Sequence, residues 1–189
     1  MEYLAIFDED NRVIPNYKLL RPNRENMSGT LYIDDKEVPR SEFRPDTLCL
    51  YEGQRIKVCI IWIENNKGEF LVQFTSPEKG SRFSTTGGHC KYGDTALDTI
   101  VAEVYEELGV SLKRDEIQHL NTVKEPYRFV EVFYIKKDLD IDKLKLQKEE
   151  VERVEWANPQ RIKELIDKEM VIKSHGRSFV ESVLPKGII

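Results

Sequence analysis

The sequence predicts an α/β protein carrying a β-rich N-terminal extension, and three observations carry that prediction. Residues 56–63 form a β-branched apolar run that reaches turn chemistry at Asn65-Asn66-Lys67-Gly68 and returns over residues 69–74. A stretch of helical period then lies between Thr95 and Gly109. Strand-like runs at residues 117–123, 127–135 and 151–156 follow, before two closing helical segments.

Taken in order, residues 3–7, the acidic turn at residues 8–11 and residues 12–14 read as a short hairpin. Residues 15–45 hold Pro15, Pro22, Pro39 and Pro45 among polar residues, with residues 30–33 and Asp34-Asp35 suggesting a second small hairpin. Residues 1–50 are therefore expected to be an extension packed on a main domain of residues 51–189. The hairpin of residues 56–74 should be central to that domain. In the following helix, Thr95 and Asp98 have the spacing of a capping box, and Gly109 suits the left-handed residue that ends it. Residues 136–147 are highly charged and read as a mobile loop. Asn158 then caps a helix with Pro159 at its first position and Ile162, Leu165 and Ile166 as its apolar stripe. Residues 178–184 are expected to form the last helix.

Composition narrows the function classes. The 189 residues are 40% hydrophobic and 33% charged with a net charge of −5, a balance poor for tracking a phosphate backbone. Nucleic acid polymers are not expected as partners. No run approaches the ~18 apolar residues of a membrane span, and residues 1–12 carry acids where a signal peptide carries bases, so a cytoplasmic protein without membrane contact is expected. Cys49, Cys59 and Cys90 form no CxxC pair and are expected to be reduced, buried thiols.

The chemistry concentrates on the helix that ends at Gly109. At ~100° per residue, Glu107 lies about 40° to one side of Glu103 and Glu106 about 60° to the other, while Leu97, Ile100, Val101, Val104 and Leu108 form the adjoining apolar face. As solvated groups the three acids would repel by only a few tenths of a kcal/mol per pair. Lining a cleft of effective dielectric ~20, two such charges about 5 Å apart would repel by roughly 3 kcal/mol, and a divalent cation becomes the natural partner. Helix geometry alone leaves both readings open. The histidines, His89, His119 and His175, show no paired spacing, so oxygen ligands favouring Mg²⁺ or Mn²⁺ are the metal chemistry to expect.

Gly88, Asp94, Glu103, Val104, Glu106, Glu107, Gly109 and Val110 resemble the Nudix box: a glycine, an acid six residues on, then Arg-Glu, an aliphatic, a Glu-Glu pair, a glycine and an aliphatic. Asp94 stands where that family has glutamate and Ala102 where it has arginine. The resemblance implies an α/β/α sandwich with a mixed central sheet. It also implies that Glu103, Glu106 and Glu107 hold one or more Mg²⁺ (or Mn²⁺) ions, while a loop at Gly87 and Gly88 lets the backbone pass close to metal and phosphates. Glu103 is the first choice as general base, and Glu150 the second, since some members draw the base from beyond the box. Lys79 and Arg82 precede the glycines, where a cation could meet a substrate phosphate. Phe83, Tyr127, Phe129 and Tyr134 could stack on a base.

Residues Ala5-Ile6-Phe7-Asp8-Glu9, Leu71-Val72-Gln73, Ser76-Pro77-Glu78-Lys79 and Thr85-Thr86-Gly87-Gly88-His89 further resemble the isopentenyl-diphosphate isomerase-like branch of that superfamily. Its isomerases carry a cysteine where this chain has Gly87, and histidines where it has Lys57, Val58 and Cys59. The expected activity is therefore Mg²⁺-dependent hydrolysis of a diphosphate linkage in a small nucleoside diphosphate-type substrate. A non-catalytic ligand sensor, favoured by Ala102, and an isomerase are the competing readings. A homodimer paired through the extension is the expected assembly.

Overall fold

The structure, a computed structural model, describes residues 2–20, 29–42 and 49–187; Pro22 and Pro45 lie outside the described residues. Strands β1 (Tyr3–Phe7), β2 (Val13–Leu20), β3 (Thr30–Ile33) and β4 (Lys36–Glu37) form an antiparallel sheet in that order. β2 runs further than the hairpin read from sequence. Its register shifts between the Phe7–Val13 and Ala5–Lys18 pairs, and Pro15 and left-handed Asn16 sit in that irregularity, where proline removes no ladder bond.

A seven-stranded mixed sheet follows, built from β5 (Ile56–Glu64), β6 (Phe70–Thr75), β7 (Phe83–Ser84), β8 (Thr86–His89), β9 (Gln118–Lys124), β10 (Arg128–Lys136) and β11 (Val151–Ala157). Its main order is β11-β6-β5-β10-β9, with β10 parallel to β5 and the other pairs antiparallel. Side-chain alternation on β5 splits the core in two. Val58, Ile60 and Trp62 face a cluster with Phe179, Ile162 and Leu165, while Cys59, Ile61 and Ile63 face another with Ile100, Val104 and Leu108. Each fully buried aliphatic side chain contributes roughly 1.5–3 kcal/mol.

Helix α1 (Ala96–Leu108) covers the second face, and its boundaries follow from its ends: Thr95 and Asp98 form a complete capping box and Gly109 has φ 71°. Helices α2 (Pro159–Asp167) and α3 (Lys173–Ser178) cover the first. The last helix begins earlier than expected, at Lys173, because its polar first turn hides it from the apolar pattern. Residues Phe179–Val183 continue as a π-helical turn and Leu184–Lys186 as a 3₁₀ turn. Among the described residues no helix is long and apolar enough to cross a membrane.

The expected mobile loop at residues 136–147 is tied down. Leu139, Ile141, Leu144 and Leu146 pack on the α1 core, and the backbone amides of Lys145 and Gln147 donate to the carbonyls of Leu108 and Glu107. Its charges alternate with apolar residues that supply this anchor.

The N-terminal sheet docks through β1. Leu4 and Ile6 enter a small core with Leu19 and Leu31, whereas Ala5 and Phe7 join the main core beside α1. Phe7 and Arg55 exchange both backbone hydrogen bonds, at 2.8 and 2.9 Å. Below this seam Lys57 and Glu131 form a buried ion pair, Nζ to Oε1 3.2 Å, with Lys57 over the Phe7 ring. Glu131 also accepts from Asn11 Nδ2, and Thr122 and His119 meet its other oxygen.

Candidate active site

The site opens where the central sheet forks. β5 and β6 pair only at Glu64 and Phe70; beyond that point β8 takes the edge of β5 and β7 the edge of β6. The gap admits side chains from both layers into one cavity of about 440 Å³. Glu103, Glu106 and Glu107 reach it from α1, Gln73 and Thr75 from β6, Lys79 and Glu150 from the loops beside them, and Arg128, Ser174 and His175 from the opposite layer.

Gly87 and Gly88 belong to a strand, not to the loop expected from sequence. β8 pairs with β5 through Ile60–Gly87 and Cys59–Gly88. A Cβ on Gly87 would stand 2.4 Å from the Cys59 carbonyl oxygen, and one on Gly88 would stand 2.0 Å from Glu103 Oε1. The glycines thus serve close approach, of strand to strand and of carboxylate to strand.

Glu107 is 7% exposed, and its Oε2 accepts from Gln73 Nε2 at 2.9 Å, while Gln73 also donates to Thr86 Oγ1 at 2.7 Å. Burial, followed by the charges of Glu103 and Glu150, outweighs the Gln73 hydrogen bond and raises the Glu107 carboxyl to about 8. Glu106 is half-exposed and meets Lys91 Nζ at 3.5 Å, which also meets Glu2 Oε1 at 3.3 Å. A cation is thus supplied beside the acidic helix even though Ala102 cannot provide one. Glu150 is ion-paired with Lys79 across the cavity mouth. Asp94 does not cap the helix, which Thr95 does; its carbonyl accepts from Cys90 Sγ at 3.3 Å.

The donor set suits a hard divalent ion: carboxylate oxygens, one of them buried against a neutral amide, and a strand stripped of Cβ where Glu103 rests. Among the described residues, no three acidic, histidine or cysteine side chains converge into a ready-made cage. The fit is one of chemistry and placement along a rim.

Arg82 is not brought to this cavity. It lines a separate one of about 520 Å³ with Val171, Lys173 and Arg177, because alternation sends neighbouring Phe83 into the core and turns Arg82 away. None of the four aromatic candidates lines the carboxylate cavity either. Phe83 and Phe129 are core, the Tyr134 hydroxyl donates to Glu64, and Tyr127 lines a third cavity beside Pro126. Sequence reasoning missed Gln73, Arg128, Ser174 and His175 as lining residues. Only Gln73 left a signal, as the polar residue inside the apolar run Phe70-Leu71-Val72-Gln73-Phe74.

The NUDIX domain model matches residues 53–176. In fold the chain is similar to DR0079 from Deinococcus radiodurans, with a TM-score of 0.61 and 18% identity over 90% of this chain and 91% of that one. It is also similar to a bifunctional NMN adenylyltransferase/ADP ribose pyrophosphatase from Francisella tularensis in complex with AMP and a manganese ion. There the TM-score is 0.57 and the identity 14%, over 74% of this chain and 43% of that one. Identities this low show the shared fold alone. No curated protein matches the sequence.

Proposed function

This chain belongs to the NUDIX family, and from that premise we propose that it hydrolyses a diphosphate linkage in a small nucleoside diphosphate-type molecule, with Mg²⁺ or Mn²⁺ as cofactor. The observation that carries the reading is the meeting of Glu103, Glu106 and Glu107 with Gly87 and Gly88 in one cavity at the fork of the sheet. The three carboxylates would hold the ion, which when bound supplies neutralisation of the diphosphate oxygens and alignment of the attacking water. The bifunctional NMN adenylyltransferase/ADP ribose pyrophosphatase of similar fold, in complex with AMP and a manganese ion, is in keeping with a diphosphate substrate and a divalent cofactor.

The chain's own residues have separable tasks in this reading. Gln73 fixes Glu107 by its amide, and the absent Cβ of Gly88 lets Glu103 lie against β8. Glu103 is the proposed general base, with Glu150, which lines the same cavity, as the second candidate. Lys79, already at the cavity mouth on Glu150, is placed to meet a phosphate oxygen. Arg82 has no part in the proposal, since it faces another cavity.

A catalytic domain beginning near residue 51, an N-terminal extension before it and a homodimer formed through that extension complete the reading. The isopentenyl-diphosphate isomerase-like branch is its proposed place in the family, as a hydrolase with Gly87 in the position of that branch's catalytic cysteine.

The test is a panel of nucleoside di- and triphosphates, sugar nucleotides, dinucleoside polyphosphates and isoprenoid diphosphates, each with and without Mg²⁺. Metal-dependent cleavage of the diphosphate linkage, read as its two phosphorylated products, that disappears in Glu107→Gln supports the hydrolase. Binding without turnover across the panel would replace it with a ligand sensor, and rearrangement of isopentenyl diphosphate would replace it with an isomerase.

A further inference from the structure

The cavity has a second pole, chemically opposite to the carboxylates. His175 lies on α3, and its Nδ1 is 3.1 Å from the backbone nitrogen of Thr85. A backbone N–H can only donate, so Nδ1 must be the acceptor and the proton of the neutral ring resides on Nε2. Burial and then the nearby Arg128 charge agree with a neutral ring, holding His175 down to about 4. Its Nε2–H has no hydrogen-bond partner among the described residues and is not among the buried unsatisfied atoms, so it meets the cavity that the ring lines.

Arg128 stands beside it at the start of β10. Its Nε donates to Glu125 Oε2 at 2.5 Å, and Glu125 is shared with Arg177 at 3.5 Å. That single anchor orients the guanidinium and leaves its terminal amino groups without a partner among the described residues. Ser174, the residue before His175, lines the same cavity and carries a hydroxyl. Donors thus gather from two elements, β10 and α3, on the layer opposite α1.

We propose that Arg128, His175 and Ser174 form an anion-binding pole that holds a terminal phosphate of the substrate away from the carboxylates. The acidic rim repels a phosphate until a cation is present; this pole attracts one without it. The cavity then selects nucleotides that end in a free phosphate over diphosphates esterified at both ends. The choice of a diphosphate substrate rests on the hydrolase reading, whereas the phosphate site itself holds with or without turnover.

Calorimetric titration of the full chain in chelator, with ADP and with ADP-ribose as probes, tests the pole apart from catalysis. ADP should bind about tenfold more tightly than ADP-ribose, and Arg128→Gln should erase that difference while Glu107→Gln keeps it. His175→Ala should weaken ADP, and His175→Gln, which returns an amide N–H near the Nε2 position, should recover most of the loss. Thermal melts of each variant show that it is folded, and Arg128→Lys retains the Glu125 pairing should Arg128→Gln not fold. Equal affinity for the two probes, no ADP binding without metal, or dependence of that binding on Glu107 in place of Arg128 would each overturn the proposal. Metal-free ADP binding of the expected pattern, with no turnover of any member of the substrate panel in Mg²⁺, would sink the hydrolase reading and leave the pole standing.

Discussion

The Glu103 carboxylate lies in the space that a side chain on Gly88 would fill, its Oε1 only 2.0 Å from the position of the missing Cβ. The neighbouring glycine has a different obstacle, the Cys59 carbonyl oxygen at 2.4 Å. A carboxylate at the end of a flexible side chain can move; a strand backbone cannot. Gly88→Ala should therefore fold with little loss of stability but displace Glu103 and lower turnover on the order of 10²-fold. Gly87→Ala should instead push β8 off β5 and cost about 2 kcal/mol or more of folding stability. Urea unfolding and steady-state rates on both variants separate the two outcomes, and equal effects would refute the assignment.

Glu107 couples stability to pH and to metal. Its carboxyl is raised from the ordinary 4.5 to about 8, so between those values the folded state keeps a proton that the unfolded chain has released. The contribution is fully present below pH 4.5 and fades as pH climbs through 8. In chelator, the chain should lose on the order of a few kcal/mol across that window. Glu107→Gln should flatten the slope, and Mg²⁺ at the alkaline end should restore wild-type stability. Denaturant midpoints taken across the window check all three.

The legible and illegible parts of this chain divide by sequence distance. α1 was readable to the residue, because Thr95, Asp98 and Gly109 carry its ends locally and the apolar period carries its face. β5 was equally plain, as a β-branched run buried on both faces. β8 was not, since four residues with two glycines have little strand propensity and pair only because β5 accepts them closely. Glu150 could be guessed from charge, but its partner Lys79 could not. Arg128 and His175 were invisible, because the contact from residue 85 to residue 175 exists only once the sheet has forked and α3 has packed over it. Arg82 was misplaced for the same reason: proximity in sequence to the glycines does not set which face of the sheet a side chain takes.

The Lys57–Glu131 pair predicts an asymmetry between single and double substitutions. Glu131 is 4% exposed and Lys57 7% exposed, so Glu131→Leu strands a buried ammonium and should cost about 3–5 kcal/mol. Replacing both charges, by Lys57→Met with Glu131→Gln, removes the orphan, keeps an acceptor for Asn11 and turns an amide N–H toward the Thr122 hydroxyl, which can accept it. The double variant should lose much less than Glu131→Leu alone. A double variant as unstable as the single one would show that packing, and not charge, decides this seam.

On the acid side, His175 imposes the opposite slope to Glu107. Its ring is lowered from the ordinary 6.5 to about 4, so the unfolded chain takes up a proton first as pH falls. The stability is fully present above 6.5 and is lost as pH falls through 4. The ring is partly open to the cavity, so the loss should be discounted to on the order of 2 kcal/mol. Protonating Nδ1 also breaks its hydrogen bond to Thr85, the residue before the strand that carries the glycines. Acid should therefore loosen α3 and β8 together, ahead of α1, which no such bond ties to the ring. Hydrogen exchange followed as pH falls should show the Thr85 amide losing protection with those of α3, and His175→Asn, which keeps an acceptor near the Nδ1 position but cannot take up a proton, should remove the acid step. Loss of protection at α1 first would mean that His175 does not set the acid limit of this fold.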